Sequence, residues 1–189
     1  GLWRWKQEAD DAKRIWDLKA NAERDSLALT HTDPAEYLRS LQVTLKYFWN
    51  SQQQLGRLSD LCRKTNQFNL ALRRFNETEI SDRMNRLDTC VASVQLSDRL
   101  SDSGIIAVIV AERSGEKLFV EELCISCRAM GRALENDIIV NALRKMPIWA
   151  GCVEVEFRVR HGERNQPALD WLTRLLEAST DTLLERGGA

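Results

Sequence analysis

The chain has 189 residues, 43% of them hydrophobic and 29% charged, enough for one domain of ordinary size plus an extension. No apolar run is long enough to cross a bilayer and the first residues do not read as an export signal, so the expectation is a cytoplasmic protein with no membrane role. With 27 Lys and Arg against 28 Asp and Glu, no overall positive field draws it to nucleic acid.

The chain opens with Trp5, Ala9, Ala12 and Trp16 at helical spacing among charged residues, a single apolar stripe on a leading helix. Thr32-Asp33-Pro34 supplies a second helix start. Residues 1–40 therefore read as a helical extension or linker, 41–180 as the main domain and 181–189 as a tail. From Leu41 to Trp49 the pattern suits a strand, and Ser51 opens a helix with Leu55, Leu58, Leu61 and Cys62 on one face. The polar segment 64–69 follows, then a short helix over 77–87. Three strands come next. Cys90 to Leu96 alternates, Asp98 to Gly104 carries turn signals, and Ile105 to Ala111 is apolar throughout, which predicts a central strand covered on both faces. Ser114-Gly115 turns the chain into the third strand, Lys117 to Ser126.

A loop, Arg128-x-x-Gly131-x-Ala133, leads into a helix through Leu134, Ile138, Ile139 and Leu143 that stops at Pro147. Val153, Val155, Phe157 and Val159 alternate with Glu154, Glu156, Arg158 and Arg160 as a half-buried strand. Asn165 then caps a last helix with Pro167 in its first turn. The fold class is α/β of the α+β kind: a mixed, mainly antiparallel sheet flanked by helices.

Gly131 lacks a Cβ, so the backbone can turn and approach a ligand, and open amides at the following helix start suit an anion such as pyrophosphate. The five cysteines, Cys62, Cys90, Cys124, Cys127 and Cys152, are an odd, scattered set that fits free thiols. Cys124 and Cys127 have no second pair nearby, so no metal is expected. The spacing favours one buried thiol and one facing a cleft.

The order of elements, with the Arg128–Ala133 loop between the third strand and a long helix and Asn165-x-Pro167-Ala168 opening the last helix, resembles the GCN5-related N-acetyltransferase fold over roughly residues 41–178. That resemblance implies a pyrophosphate of coenzyme A on the loop residues Arg128, Ala129, Met130, Gly131, Arg132 and Ala133, with Asn165 also at the cofactor. It further implies a pantetheine arm in a gap where the strands at 117–126 and 151–160 splay apart. A narrower resemblance is carried by Leu61-Cys-Arg-Lys-Thr-Asn-Gln-Phe-Asn-Leu-Ala-Leu-Arg-Arg-Phe75, by Leu96-Ser-Asp-Arg99 and Gly104, and by Ser126-Cys-Arg-Ala-Met-Gly-Arg132. These stretches look like the carboxy-terminal half of the FkbH-like proteins of polyketide biosynthesis. In that family a haloacid-dehalogenase-like half is coupled to an acetyltransferase-like half, and a glyceryl unit is loaded onto the phosphopantetheine thiol of an acyl carrier protein. An Asp-x-Asp-x-Thr strand motif, the mark of the dehalogenase-like half, does not occur in this sequence. The partners implied are an acyl carrier protein and, supplied from elsewhere, a dehalogenase-like domain.

A pantetheine thioester, on coenzyme A or a carrier protein, presents an acyl carbonyl and a sulfur leaving group. Cys127 is the candidate acceptor, since adjacent Arg128 and the helix start favour thiolate. Glu122 is the candidate base, although alternation lets at most one of Glu121 and Glu122 face the cleft. Thr65, Asn66, Gln67 and Asn69 offer amides and a hydroxyl that suit a polyol substrate. His161 reads as a loop residue. Arg63, Lys64, Arg73 and Arg74 form a basic cluster that suits an acidic carrier. Two other functions stay open: a non-catalytic domain that docks the carrier, and an acetyl-CoA-dependent N-acetyltransferase.

Overall fold

The computed structural model describes residues 33–130 and 132–186, together with 19, 20, 22–24, 26, 27 and 29. The tryptophan stripe, His31, Gly131 and the last three residues of the tail lie outside the described residues. The chain divides into two compact units, Gly1–Lys46 with Gln95–Gly104 and Tyr47–Val94 with Ile105–Ala189.

In the first unit, helix α1 (Pro34–Leu41) begins at the proline that the sequence marks, and Tyr37 N donates to Asp33 O at 3.0 Å. Arg24 forks onto Asp98 at 2.9 and 3.0 Å and reaches Ser101 Oγ at 2.5 Å. Asp98 also accepts from the amides of Leu100 and Ser101, so one carboxylate shapes the whole tip.

The elements that follow are β1 (Thr44–Trp49), α2 (Leu55–Lys64), β2 (Phe68–Asn69), α3 (Glu77–Asn85), β3 (Thr89–Ser97), β4 (Asp102–Ser114), β5 (Lys117–Ile125), α4 (Glu135–Arg144), β6 (Glu154–Phe157) and α5 (Gln166–Arg186). The sheet is mainly antiparallel and ordered β1-β3-β4-β5-β2, with β6 also paired to β5. Ile106 to Ala111 are fully buried, as an unbroken apolar run requires of a central strand. One face of the sheet presents Val91, Val108, Val110 and Cys124 to Leu58, Leu61 and Cys62 of α2, to Phe75, and to Ile80 and Met84 of α3. Their neighbours Ile109 and Leu123 point the other way by alternation and are equally buried. Helix α3 starts with a capping box: Asn76 accepts from Glu79 N, and Glu79 returns the bond to Asn76 N, both at 2.9 Å. Such a cap contributes about 1 kcal/mol. Trp171 of α5 lies 5.9 Å from the Phe68 ring and 6.1 Å from that of Phe157, and donates to Asn136 Oδ1 of α4 at 2.9 Å.

The free edge of β5 is shared by two partners. Its first half pairs in parallel with β6, from Lys117 opposite Glu154 to Val120 opposite Phe157. Its second half pairs antiparallel with β2, Phe68 opposite Ile125 and Asn69 opposite Cys124. A bulge sits where the partners change, because Val110 faces Glu122 but Ala111 faces Val120. The expected splay is therefore present, and the chain's own residues 68–70 lie in it. Leu70 N donates to Leu123 O at 3.1 Å, and Arg160 N to Leu70 O at 2.8 Å. The strand expected over 153–159 is shorter than its alternation suggests, with Val153 79% and Val159 40% exposed.

Candidate functional site

The residues around the splay are fixed by a few buried polar side chains. Asn69 accepts from Leu72 N at 2.7 Å and donates to Thr65 O at 3.3 Å, which closes the turn after β2. Leu72 and Arg74 both hold left-handed backbone angles, φ +53° and +58°. For residues with a Cβ such angles cost on the order of 1 kcal/mol or more and need support from outside the turn. Glu122 gives that support, accepting from Arg73 N at 2.8 Å and Leu123 N at 3.0 Å. Burial pushes the Glu122 carboxyl above its usual range, against the opposing pull of those amides.

Arg74 then reaches back across the turn. Its guanidinium donates to the carbonyls of Cys62 (3.1 Å), Arg63 (2.8 Å) and Thr65 (2.8 Å), the last acceptors of α2 and the residue after it, and to Asn66 Oδ1. These are carbonyls that a helix end leaves without partners, at the negative end of its dipole. Because guanidinium only donates, it holds the Asn66 oxygen inward and leaves the amide NH2 as the outward group.

On the other wall β5 runs into the 126–134 loop. Ser126 N donates to Ile106 O at 2.7 Å, and Arg128 N, Ala129 N and Met130 N turn back onto Ser126 Oγ, Ser126 O and Cys127 O. These three amides are engaged within the turn, so they do not form the open cradle expected of them. Helix α4 begins only at Glu135 and carries Glu135 and Asp137 in its first turn, two charges that oppose an anion there. Arg132 is buried and Ala133 exposed with φ +53°.

Between these walls lies a cavity of about 350 Å³. Arg57, Asp60 and Lys64 face it from α2, Thr65, Asn66 and Gln67 from the polar segment, Cys127, Arg128 and Met130 from the loop, and Arg164 from the turn before α5. Cys127 is exposed at this cavity while Cys124 is fully buried in the core. Arg57 donates to Ile105 O at 2.9 and 3.2 Å. Burial and then the charge of Arg128 lower its pKa, so like charges crowd here. Lys64 is paired with Asp60 at 2.9 Å. The cavity thus presents four cations, one carboxylate, the donors of the polar segment and a thiol.

The structure brings together Cys127, Arg128, Met130, Thr65, Asn66 and Gln67, which are scattered in sequence. Ala129 and Arg132 are buried away from the Cys127 cavity and Ala133 lies at another cavity, and three further candidates have structural duties elsewhere. Glu122 is fully buried with its oxygens on backbone amides, which is no position for a general base. Asn69 is fully buried as a turn-former. Asn165, also fully buried, donates to Asn69 O and Arg160 O, both at 2.8 Å, and accepts from Gly162 N at 2.9 Å. It ties β2 to the chain after β6 instead of facing a cofactor. The basic cluster is likewise divided, since Arg74 closes the turn and Arg73 lies over the Phe75 ring at 4.8 Å.

Glu121 is buried against Arg83, which forks onto it at 2.8 and 3.1 Å. Burial pushes its carboxyl up, but Arg83, with the charges of Arg73 and Arg158 beyond it, outweighs burial and holds it below the usual range. Sequence reasoning missed Arg57 and Arg164. Arg57 could have been found, because Arg57, Asp60 and Lys64 recur at helical spacing on the polar side of the α2 stripe. Arg164 carries no such signal. Among the described residues no group of three His, Cys, Asp or Glu side chains could hold a metal, and no helix is long and apolar enough to cross a membrane.

No family model matches the chain, and no curated protein matches it. Among solved structures it is similar to an aminoglycoside acetyltransferase from an uncultured soil metagenomic sample, with 9% identity and a TM-score of 0.48 over 70% of this chain and 90% of the other. It is also similar to a ribosomal-protein-alanine N-acetyltransferase from Brucella melitensis biovar Abortus 2308, with 6% identity and a TM-score of 0.48 over 68% and 87%. A second soil aminoglycoside acetyltransferase, solved with trehalose, has 13% identity and a TM-score of 0.46 over 69% and 86%.

Proposed function

We propose that this chain is an acyl-transfer module acting on phosphopantetheine thioesters, with a glyceryl group carried by an acyl carrier protein as the preferred substrate. The observation that supports the reading most is the exposed Cys127 thiol at a cavity walled by Thr65, Asn66, Gln67 and the cations Arg57, Lys64, Arg128 and Arg164. Cations and outward amide donors suit the hydroxyl oxygens and phosphate of such a substrate. In the step itself the Cys127 sulfur attacks the thioester carbonyl, the carbon–sulfur bond to the arm breaks, and the arm leaves as thiolate and takes up the proton. A second exchange with another thiol discharges the group. The donor approaches this cavity from solvent, because residues 68–70 lie in the splay and the amides of Arg128, Ala129 and Met130 are engaged. Removal of any phosphate from the glyceryl precursor belongs to a separate dehalogenase-like domain.

The same filled splay, together with the buried Glu122, favours a second reading in which the module docks the carrier and leaves the chemistry to a partner. An amine acceptor, protonated at neutral pH, is disfavoured by four cations around the cavity. Intact mass after incubation with glyceryl-loaded carrier protein tests the transfer reading. A mass gain equal to the acyl group, absent from Cys127→Ala, is the expected result. Carrier binding without an adduct leaves the docking reading, and an adduct that persists in Cys127→Ala overturns the assignment of that thiol.

A further inference from the structure

A second cavity, about 370 Å³, shares no residue with the first and is lined by Ala71, Leu72, Arg73, Arg158, Val159 and Arg160. Three of the six are arginines and none is acidic. Their backbones are held firmly: Arg73 N on Glu122 at 2.8 Å, Arg158 N on Val120 O at 2.9 Å and Arg160 N on Leu70 O at 2.8 Å. Among the described residues none of the three guanidinium groups has an ion pair or a hydrogen bond. Two lie over aromatic rings, Arg73 over Phe75 at 4.8 Å and Arg158 over Phe119 at 5.4 Å. The neighbouring carboxylate, Glu121, has both oxygens on Arg83. Glu156, two residues before Arg158, is paired with Lys117 at 2.6 Å.

Three cations lining one cavity repel one another, with the buried Glu121, already forked by Arg83, as the opposite charge felt by Arg73 and Arg158, and they offer fork-shaped donors to any anion that enters. Cation–ring contact reduces the freedom that two of those donors lose on binding. Phosphate, with several oxygens for several forks, fits this arrangement better than a lone carboxylate. Leu72, Val159 and Ala71 add an apolar wall beside the charges. We infer that this cavity binds the phosphate group of a small phosphomonoester, whose organic part lies along Leu72 and Val159. The inference stands apart from the transfer chemistry at Cys127 and does not depend on it.

The test titrates the full chain with inorganic phosphate and with phenyl phosphate, by calorimetry and by phosphorus NMR. Saturable binding is expected, tighter for the ester, and weakened about ten-fold or more in Arg158→Ala with Arg160→Ala. Arg73→Ala, on a different segment, should also weaken it, which keeps the idea testable if the double variant misfolds. Lys64→Ala with Arg164→Ala, in the first cavity, should leave binding within about two-fold of the wild type, an energy difference of about 0.4 kcal/mol. Equal affinity for phosphate and its ester would point to free phosphate as the ligand and overturn the apolar-wall part. Absence of saturable binding, or loss in the Lys64/Arg164 variant with retention in the Arg158/Arg160 variant, would overturn the site itself.

Discussion

Replacing Arg74 by alanine should destabilise the second unit by about 2–4 kcal/mol and disorder one wall of the Cys127 cavity. One guanidinium nitrogen serves the carbonyls of Cys62, Arg63 and Thr65, and the other serves Asn66 Oδ1. A guanidinium nitrogen of this kind carries two hydrogens, so three acceptors on one nitrogen share two donors and the four contacts amount to roughly three bonds. At a net contribution of about 0.5–1 kcal/mol each for partly solvated bonds, with about 0.3–1 kcal/mol for a cation at a helix C-terminus, the total is about 2–4 kcal/mol. The backbone supplies an internal control. At φ +58° alanine is strained as arginine is, whereas glycine is not, so Arg74→Gly should be about 1 kcal/mol more stable than Arg74→Ala. Urea denaturation at a common slope measures both values. A loss below about 0.5 kcal/mol in Arg74→Ala, or a glycine variant less stable than the alanine one, would show that the α2 end and the 65–66 turn hold themselves.

Arg83→Met should cost about 3 kcal/mol near pH 7, because it leaves the buried Glu121 without its fork. The Glu121 carboxyl is depressed in the folded protein, so the pair stabilises above the ordinary carboxylate pKa of about 4.3 and that stability is lost as pH falls through the folded value. The gap between variant and wild type in denaturation should therefore narrow toward pH 3, and a constant gap would refute the pairing as its source. Glu122→Gln should cost about 2 kcal/mol, since the amide turns an NH2 against Arg73 N or Leu123 N, yet leave Cys127 acylation in the folded protein unchanged. A large fall in acylation with little change in stability would restore Glu122 as a base. Asn165→Ala removes three hydrogen bonds of a buried side chain, and about 2–3 kcal/mol should go with faster amide hydrogen exchange at Leu70 and Arg160. Protection at both amides equal to wild type would show that β2 is anchored without it.

Much of the site was legible because its signals are local. A thiol three residues past Cys124 sits beyond the end of a buried strand, and Cys127 is accordingly exposed while Cys124 packs under α2. The density of polar groups in 64–67 marks a segment that a core cannot absorb, and Thr65, Asn66 and Gln67 line the cavity. Glu122, Asn69 and Asn165 were misread for a shared reason. A polar residue in a motif looks the same in sequence whether it faces a ligand or satisfies backbone groups. For Glu122 and Asn165 decisive partners lie far along the chain, Arg73 N and Asn69 O, the latter 96 residues away, whereas Asn69 closes a local turn on Thr65 O and Leu72 N.

By itself the sequence determined the elements and their order, because periodicity, capping residues and turn residues act over a few positions. The buried run 106–111, the capped helix at 77 and the proline-led helix at 34 all follow from neighbours in the chain. Tertiary structure alone decided what occupies the free edge of β5. Alternation says that an edge exists but not who pairs with it, and a two-residue strand, Phe68–Asn69, has too little pattern to announce itself. Its place is set by long-range polar contacts: Asn165 on Asn69, Leu70 on Leu123, and Glu122 under the left-handed turn at 72–74. That placement fills the splay, draws Arg74 onto the end of α2 and leaves the arginines at 73, 158 and 160 gathered about one cavity.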